Sequence, residues 1–313
     1  DAYGTMIEWI KQADGTWKYD YSKFDEYAAF GEECGITSQI NCYSMVPWGN
    51  VFHYIDGATG DRKSFRANPG TKAYTEFWTP FLKDFTKHLK KTGRLKKTCI
   101  AMDERGLKDL LEVLKLIKAH APEMKIALAA NHNLEAVAPS TFDYCFSIGG
   151  ARKIGESFTN PRRAKGQKTT FYVCCKPGRP NTFPHSSPAE SVWLSWYASE
   201  RKLDGFLRWA YAHWNRNPLA TTDYGYWPTG DCWFVYPGNR SSIRFERLRE
   251  GIQDFEKLRI VRAALIKNDD TAAIKQIDTM LKKFNSVPSV AQVAKDVNAA
   301  KALLNKLSQK LAK

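Results

Sequence analysis

Two adjacent carboxylates, Asp103 and Glu104, are the residues of this sequence with the clearest potential for chemistry. They directly follow the apolar run Cys99 to Met102 and precede Gly106, where a predicted helix begins. Burying ionisable groups at the end of an apolar strand costs free energy unless the groups are paired or used. The position therefore indicates proton-transfer chemistry. The alternative is that one of the carboxylates caps the following helix.

The adjacency of the two carboxylates limits which reaction they could catalyse. An acid and a nucleophile on opposite sides of a glycosidic bond need a separation of about 5 Å or more, which one strand end does not provide. A substrate-assisted reaction fits better, because the 2-acetamido oxygen of the sugar then attacks the anomeric carbon. The enzyme needs only one acid/base and one neighbouring carboxylate that holds the acetamido N–H. Such a site would select 2-acetamido sugars.

Amide and aromatic side chains follow the other apolar runs, and these are the groups that bind sugar hydroxyls and pyranose faces. Any single ring among them could instead belong to the core. His132 and His213 lack a convincing set of partners for a metal ion, so no metal and no cofactor is predicted. The predicted substrate-binding residues are Asn41, Tyr43, Trp48, Asn131, Trp209, Tyr211, Trp214 and Tyr236.

The elements that must position these residues are short apolar runs alternating with helical segments, which is typical of parallel βαβ units. This pattern predicts an α/β fold, a TIM-type (β/α)8 barrel with reacting groups at the carboxyl ends of its strands. The stretch before Tyr21 offers no apolar strand, so the barrel is predicted to lack its first strand. The predicted strands are Ile36–Tyr43, Thr98–Met102, Lys125–Ala130, Tyr144–Ile148, Thr169–Cys175, Gly205–Trp209 and Cys232–Val235. The predicted helices between them are Tyr21–Cys34, Tyr74–Lys91, Gly106–His120 and Pro188–Lys202.

The sequence changes character after Ile243, where three amphipathic helices are predicted. They cover Phe245–Ala264, Thr271–Phe284 and Val290–Leu311. We therefore predict a barrel domain of residues 1–262 and a C-terminal helical appendage of residues 263–313.

The composition restricts the class of protein. With 43% hydrophobic residues and no apolar run of about 18 residues, the chain is predicted to be globular without a membrane span. The formal charge of +14 would suit a polyanionic partner. However, the basic stretches read as solvated helix faces and loops without interleaved aromatic rings, so nucleic-acid binding is not predicted.

The seven cysteines mostly lie in apolar runs, without the spacing of a zinc site or the density of a disulfide scaffold. They are predicted to be free, packed thiols. Cys174 and Cys175 are predicted to lie on a strand with their side chains on opposite faces, which disfavours a redox pair.

Several segments resemble the catalytic domains of glycoside hydrolase family 123, which are β-N-acetylgalactosaminidases, and the related bacterial DUF4091 family. The resemblance extends over roughly residues 3 to 262. Family members usually carry a β-sandwich before the barrel and begin the barrel upstream of where this sequence starts, so the chain departs from the pattern there. The matching segments are Ile40 to Trp48, Ala101 to Arg105, Leu207 to Tyr211, Val235 to Gly238 and Ser241 to Asp254.

The resemblance implies that Asp103 orients the acetamido group and that Glu104 is the acid/base. It also implies hydrolysis of terminal β-linked N-acetylgalactosamine or a related 2-acetamido sugar by a retaining, substrate-assisted mechanism through an oxazoline. The expected partner is thus a glycan, and the expected location is secreted or periplasmic in a bacterium, although Asp1 to Gly4 contain no signal peptide. The alternatives are a non-catalytic sugar-binding barrel and, from net charge alone, a binder of nucleic acid or anionic glycan.

Overall fold

A computed structural model describes residues 5–130 and 135–312 of the chain. The strands are β1 Glu8–Lys11, β2 Trp17–Asp20, β3 Ile40–Tyr43, β4 Val51–Asp56, β5 Arg62–Arg66, β6 Thr98–Met102, β7 Lys125–Ala130, β8 Asp143–Ser147, β9 Lys168–Tyr172 and β10 Gly205–Leu207. The helices are α1 Ser22–Glu33, α2 Lys72–Lys91, α3 Leu107–His120, α4 Ile148–Ala151, α5 Glu156–Ala164, α6 Pro188–Glu200, α7 Ile243–Lys267, α8 Thr271–Leu281 and α9 Val290–Leu311. None of the described helices combines the length and apolarity that a bilayer span requires.

Six strands form a parallel sheet in the order β10-β9-β8-β7-β6-β3, with β3 and β10 at its edges. Each of them coincides with a predicted strand or lies mostly within it, and β6 and β7 have the predicted bounds. The α/β class and the parallel sheet are thereby confirmed. The described strands do not form an eight-stranded sheet.

The prediction of a seventh strand at Cys232–Val235 is wrong. This segment makes only an isolated antiparallel bridge, between Ala212 and Trp233. Cys232, Trp233 and Phe234 are nevertheless buried. The run is apolar because it packs beneath the loop that follows β10. A short apolar run in the sequence does not distinguish a buried loop from a buried strand.

The chain divides into two compact units, with the boundary between Tyr144 and Cys145. The predicted division at residue 262 stays a prediction. The first unit contains a second sheet that sequence reasoning missed, with the strand order β2-β1-β4-β5. Its strands are short and rich in charged residues. Alternation of aromatic and polar residues, as in Trp17-Lys18-Tyr19-Asp20, is nevertheless a strand signal, and Asp14-Gly15 is a hairpin signal.

The aromatic face of this second sheet packs on helix α2. Trp9 of β1 stacks on Phe77 and Phe81, with ring centroids 4.2 and 4.3 Å apart. Phe52 of β4 lies against the same helix, with its centroid 5.2 Å from that of Phe77. Large aromatic rings bury much apolar surface per residue, so a sheet of strands only four to six residues long can still be held firmly.

In the second unit, helix α6 is buried on nearly all sides, from Ala189 through Ala198. The three C-terminal helices surround it, and Trp196 of α6 stacks on Phe284 at 5.5 Å. Helix α7 approaches α6 closely at Gly251, where a Cβ atom would lie 2.8 Å from Ser195 Oγ and 3.0 Å from the Val192 backbone. Only glycine fits this contact without displacement of α6.

Gly251→Ala should therefore lower the free energy of unfolding by about 1–3 kcal/mol, because overpacking exceeds the gain in helix propensity. Gly31→Ala is the matched control, since the added Cβ would meet only Ile36 Cβ at 3.9 Å. That change should stabilise by about 0.5–1 kcal/mol. Urea denaturation measures the change in unfolding free energy for both substitutions. Equal stabilisation by the two would contradict the close contact between α6 and α7 at Gly251.

Candidate active site

The carboxylates Asp103 and Glu104 lie immediately after strand β6, all five residues of which are buried. Both carboxylate residues are themselves partly buried. Helix α3 begins at Leu107, its N-cap is Gly106, and no side chain caps it. The helix-capping interpretation of the Asp-Glu pair is therefore wrong. A turn of irregular chain separates both carboxylates from the helix and leaves them at the carboxyl end of the parallel sheet.

Small side chains make room on one face of the sheet below Asp103. In register, Asn41 lies opposite Cys99 and Tyr43 opposite Ala101, so these four residues share a face. Asp103 is the next residue of the series 99, 101, 103 and follows the strand on that side. Ala127 packs with Cys99 and Ala101 in one cluster. Asn41 and Tyr43 are exposed, which places an amide and a phenol on the face that leads to the carboxylate.

Trp48 is held out from the protein by a tight turn after β3. The loop is anchored by buried Met45, whose carbonyl accepts a hydrogen bond from Tyr74 Oη at 2.7 Å. Asn50 N donates to Pro47 O at 3.1 Å, which closes a turn around Trp48. Gly49 has φ +83°, as such a turn requires. Trp48 is 72% exposed, so its ring offers a flat apolar face to a ligand.

Arg105 lies behind Trp48, with Cζ 3.6 Å from the ring centroid. Its side chain is buried, and Nε and Nη2 make no hydrogen bond within the described part of the chain. Burial lowers the pKa of Arg105, and the negative charge of Asp103 opposes that shift. The guanidinium thus contacts the exposed Trp48 ring and also interacts electrostatically with Asp103. Sequence reasoning missed Arg105 as a site residue, although a cation directly after two carboxylates was a signal.

Tyr43 and Trp48 also line a cleft of about 590 Å³ in the first unit. Most of the rest of its wall is apolar and includes Phe52 and Ile100, while Thr5, Ser44 and His53 contribute polar groups. This volume lies in the range of small-molecule sites. Of the predicted residues, only Tyr43 and Trp48 line this cleft; Asn41, Asp103 and Glu104 do not. Asn41 and Tyr43 are related to the carboxylate pair by the register of β3 and β6, and Trp48 is related to it through Arg105. Asn131 lies outside the described residues.

The second unit positions the predicted ring of Trp209 through a buried acid. Asp231 accepts from Trp209 Nε1 at 2.9 Å and from Arg208 Nη2 at 2.5 Å. Arg208 also donates to Val173 O at 2.6 Å, after strand β9. Because Asp231 and Arg208 are both buried, the indole is fixed by an ion pair rather than by loop packing alone. Sequence reasoning missed Asp231.

An aromatic cluster surrounds Trp209. Its centroid lies 5.2 Å from that of Trp227 and 6.0 Å from that of His213, which stacks on Tyr224 at 4.8 Å. Sequence reasoning also missed Trp227 and Tyr224, since neither follows a predicted strand. The other predicted rings have different neighbours. Tyr211 packs edge-on to Phe245, Trp214 Nε1 donates to Val235 O at 2.8 Å, and Tyr236 lies edge-on to Trp233.

The Cys174–Cys175 pair departs from its predicted geometry. Strand β9 ends at Tyr172, so the two residues lie in irregular chain and their sulfurs approach to 3.6 Å. None of the seven cysteines, all within the described residues, forms a disulfide, and Cys34 and Cys175 are exposed rather than packed as predicted. Asn181 is buried and donates to Cys174 O and Pro177 O, both at 2.7 Å. Its side chain supports this loop.

Comparison with known proteins bears on the fold and the family of the chain. A search of curated protein sequences gives no significant match. Among solved structures, the chain is similar to a family 123 glycoside hydrolase from Clostridium perfringens, whose structure was analysed for glycolipid glycan hydrolysis. The TM-score is 0.84 at 26% sequence identity, over 98% of this chain and 58% of that one. The chain therefore spans a little more than half of that relative's length.

The family model of the glycoside hydrolase 123 catalytic domain matches residues 1–261, which is most of the sequence. The matched range includes both partly buried carboxylates after β6 and the rings that follow β3 and β10. With its fold, its strand-end carboxylates and this match in agreement, the chain belongs to glycoside hydrolase family 123.

Proposed function

We propose that this chain is a glycosidase that removes terminal β-linked N-acetylgalactosamine, or a closely related 2-acetamido sugar, by substrate-assisted catalysis with retention of configuration. The observation that carries the proposal is the pair Asp103 and Glu104, adjacent in sequence and placed directly after a buried strand in a family 123 chain. The glycan hydrolysis addressed in the Clostridium perfringens relative supports a glycan substrate.

In the first step, Glu104 donates a proton to the glycosidic oxygen as the bond to the anomeric carbon breaks. The acetamido oxygen of the same sugar attacks that carbon from the opposite face and forms an oxazolinium ion, the protonated form of the oxazoline. Asp103 accepts a hydrogen bond from the acetamido N–H, which orients the group and stabilises the positive charge that develops on it. The aglycone leaves as a neutral alcohol.

In the second step, water adds to the anomeric carbon while Glu104, now a carboxylate, takes a proton from it. The bond between the acetamido oxygen and the anomeric carbon breaks, and the acetamido group is restored. Two inversions at one carbon give net retention. No second carboxylate across the bond is needed, in accord with a pair that shares one strand end.

Asn41, Tyr43 and Trp48 are proposed to bind the sugar in the first unit, and Trp209, Tyr211, Trp214 and Tyr236 remain predicted substrate contacts in the second. Trp48 supplies an exposed apolar face that Arg105 holds in place. Asn41 supplies amide groups for hydroxyls, which discriminate between sugars more sharply than apolar contact does.

Release of 4-nitrophenol from 4-nitrophenyl β-N-acetylgalactosaminide tests the proposal. The wild-type chain should hydrolyse it, and the double variant Asp103→Asn/Glu104→Gln should not. Binding of N-acetylgalactosamine by a wild-type chain that hydrolyses nothing would instead identify a non-catalytic sugar-binding protein.

Trp48→Ala should raise KM for this substrate by roughly 5- to 30-fold, the loss of about 1–2 kcal/mol of ring contact. We expect kcat to change by no more than about threefold, since the ring contacts ground state and transition state alike. Tyr27→Ala, which removes another exposed ring, on α1, is the control and should change neither constant. An equal fall in kcat and kcat/KM for Trp48→Ala would contradict the role of a binding platform.

A further inference from the structure

A second cleft in the first unit, of about 860 Å³, lies between helix α2 and the aromatic face of the smaller sheet. Trp17, Tyr54 and Phe65 form its sheet wall, and Lys83 and Lys87 extend from the helix. We call it the lysine cleft. None of the predicted site residues lines it. Its volume would admit several linked sugar rings or a ligand of that size.

Three ammonium groups border the lysine cleft without acidic partners. Lys11, Lys83 and Lys87 form no ion pair within residues 5–130 and 135–312, and Lys11 Nζ stands 6.0 Å from the Trp17 ring centroid. The lining also contains two carboxylates. Glu76 pairs with Lys72, and Asp84 accepts from Tyr21 Oη at 2.7 Å. The three lysines outweigh the charge of Asp84, so the net charge at the cleft is positive and attracts anions.

The rings of the cleft favour a saccharide over a nucleic acid. Trp17 meets Tyr54 at 78° and Phe77 at 88°, with centroids 5.5 and 5.3 Å apart. Perpendicular rings offer single faces to separate sugars but no parallel platform on which successive bases could stack.

Tyr19 adds a polar group to the same wall. Its Oη is buried and has no hydrogen-bond partner within the described part of the chain. A buried hydroxyl without a partner costs free energy, but this one has almost no accessible surface in the cleft. The accessible wall combines apolar faces and cations.

We propose that the lysine cleft is a second carbohydrate-binding site that takes an acidic saccharide, one bearing carboxylate or sulfate groups. Sugar faces pack on Trp17 and Tyr54, and the acidic groups meet Lys83, Lys87 and Lys11. The site goes beyond the proposed hydrolysis of a neutral 2-acetamido sugar and does not depend on Asp103 or Glu104.

Isothermal titration of the full chain with a heparin-derived octasaccharide at low salt tests the site. Lys83→Gln/Lys87→Gln should weaken binding by about tenfold, as expected for the loss of two exposed charge contacts. Tyr54→Leu should also weaken it, without any change in charge. The matched control is Lys115→Gln/Lys118→Gln, which removes the same charge from exposed positions on α3 and should change Kd by less than twofold.

Equal weakening by both lysine pairs would overturn the proposal, since net charge alone would then govern binding. Absence of binding by the wild-type chain would overturn it as well. So would an eight-nucleotide thymidine strand that binds as tightly as the octasaccharide and responds to the same variants. Hydrolysis of the β-N-acetylgalactosaminide should be unchanged in Lys83→Gln/Lys87→Gln, so the outcome is independent of the proposed enzymatic function.

Discussion

Glu104→Gln should slow hydrolysis of a β-N-acetylgalactosaminide with a sugar or alkyl leaving group by about 10²-fold or more, because no acid remains to protonate the departing oxygen. A 2,4-dinitrophenyl glycoside should be largely spared in its first step, since this phenolate leaves without a proton. Asp103→Asn should slow both substrates by about 10²-fold or more, because the acetamido group is then no longer oriented for attack. Steady-state and burst kinetics on the two substrates measure the difference.

The chain contains its own control for these substitutions. Asp25-Glu26 is a second Asp-Glu pair, on helix α1, and Glu26 is exposed there. Glu26→Gln makes the same chemical change away from the parallel sheet and should leave both rates unchanged. If Glu104→Gln and Asp103→Asn lowered the rates of both substrates to the same degree, the division of roles between the two carboxylates would be wrong.

A β-galactoside matched in leaving group, with a 2-hydroxyl in place of the 2-acetamido group, should be hydrolysed slower by several orders of magnitude or not at all. An intramolecular nucleophile acts with an effective molarity of about 10⁵–10⁸ M, and the hydroxyl substrate has lost it. The loss should fall on kcat, because the missing group is the one that reacts.

The β-galactoside should still bind, and this keeps the comparison interpretable. Measured as a competitive inhibitor of N-acetylgalactosaminide hydrolysis, it should retain the ring contact with Trp48. Comparable kcat values on the two sugars would contradict substrate assistance, even though membership of family 123 would stand.

Sequence periodicity predicted the parallel sheet well because its central strands are buried on both faces. β6 and β7 are almost entirely apolar and bounded by clear helix and turn signals, so both ends were correct. The smaller sheet was missed for the opposite reason. Its strands are short and only partly buried, and Arg62–Arg66 is mostly exposed and rich in charge. The stability of this sheet comes from aromatic contacts with α2 that no local pattern reveals.

The candidate site was predictable where the residue type carried the information locally. Asp103 and Glu104 directly follow an apolar run, and this is visible in the sequence itself. Asp231 was not predictable in this way, because its role depends on Arg208 and Trp209, more than twenty residues away. Arg105 illustrates the same limit, since only the turn that holds Trp48 places the ring against its guanidinium.

The most direct test of substrate-assisted catalysis varies the nucleophile itself. Replacing the N-acetyl group of 4-nitrophenyl β-N-acetylgalactosaminide by mono-, di- and trifluoroacetyl groups withdraws electrons from the amide oxygen while the leaving group stays the same. Attack by that oxygen predicts that kcat falls steeply with each fluorine, by about 10²-fold or more over the series, as expected when the transition state requires electron donation from the amide. A kcat that is independent of fluorine substitution would show that another group attacks the anomeric carbon and would contradict the proposed roles of Asp103 and Glu104.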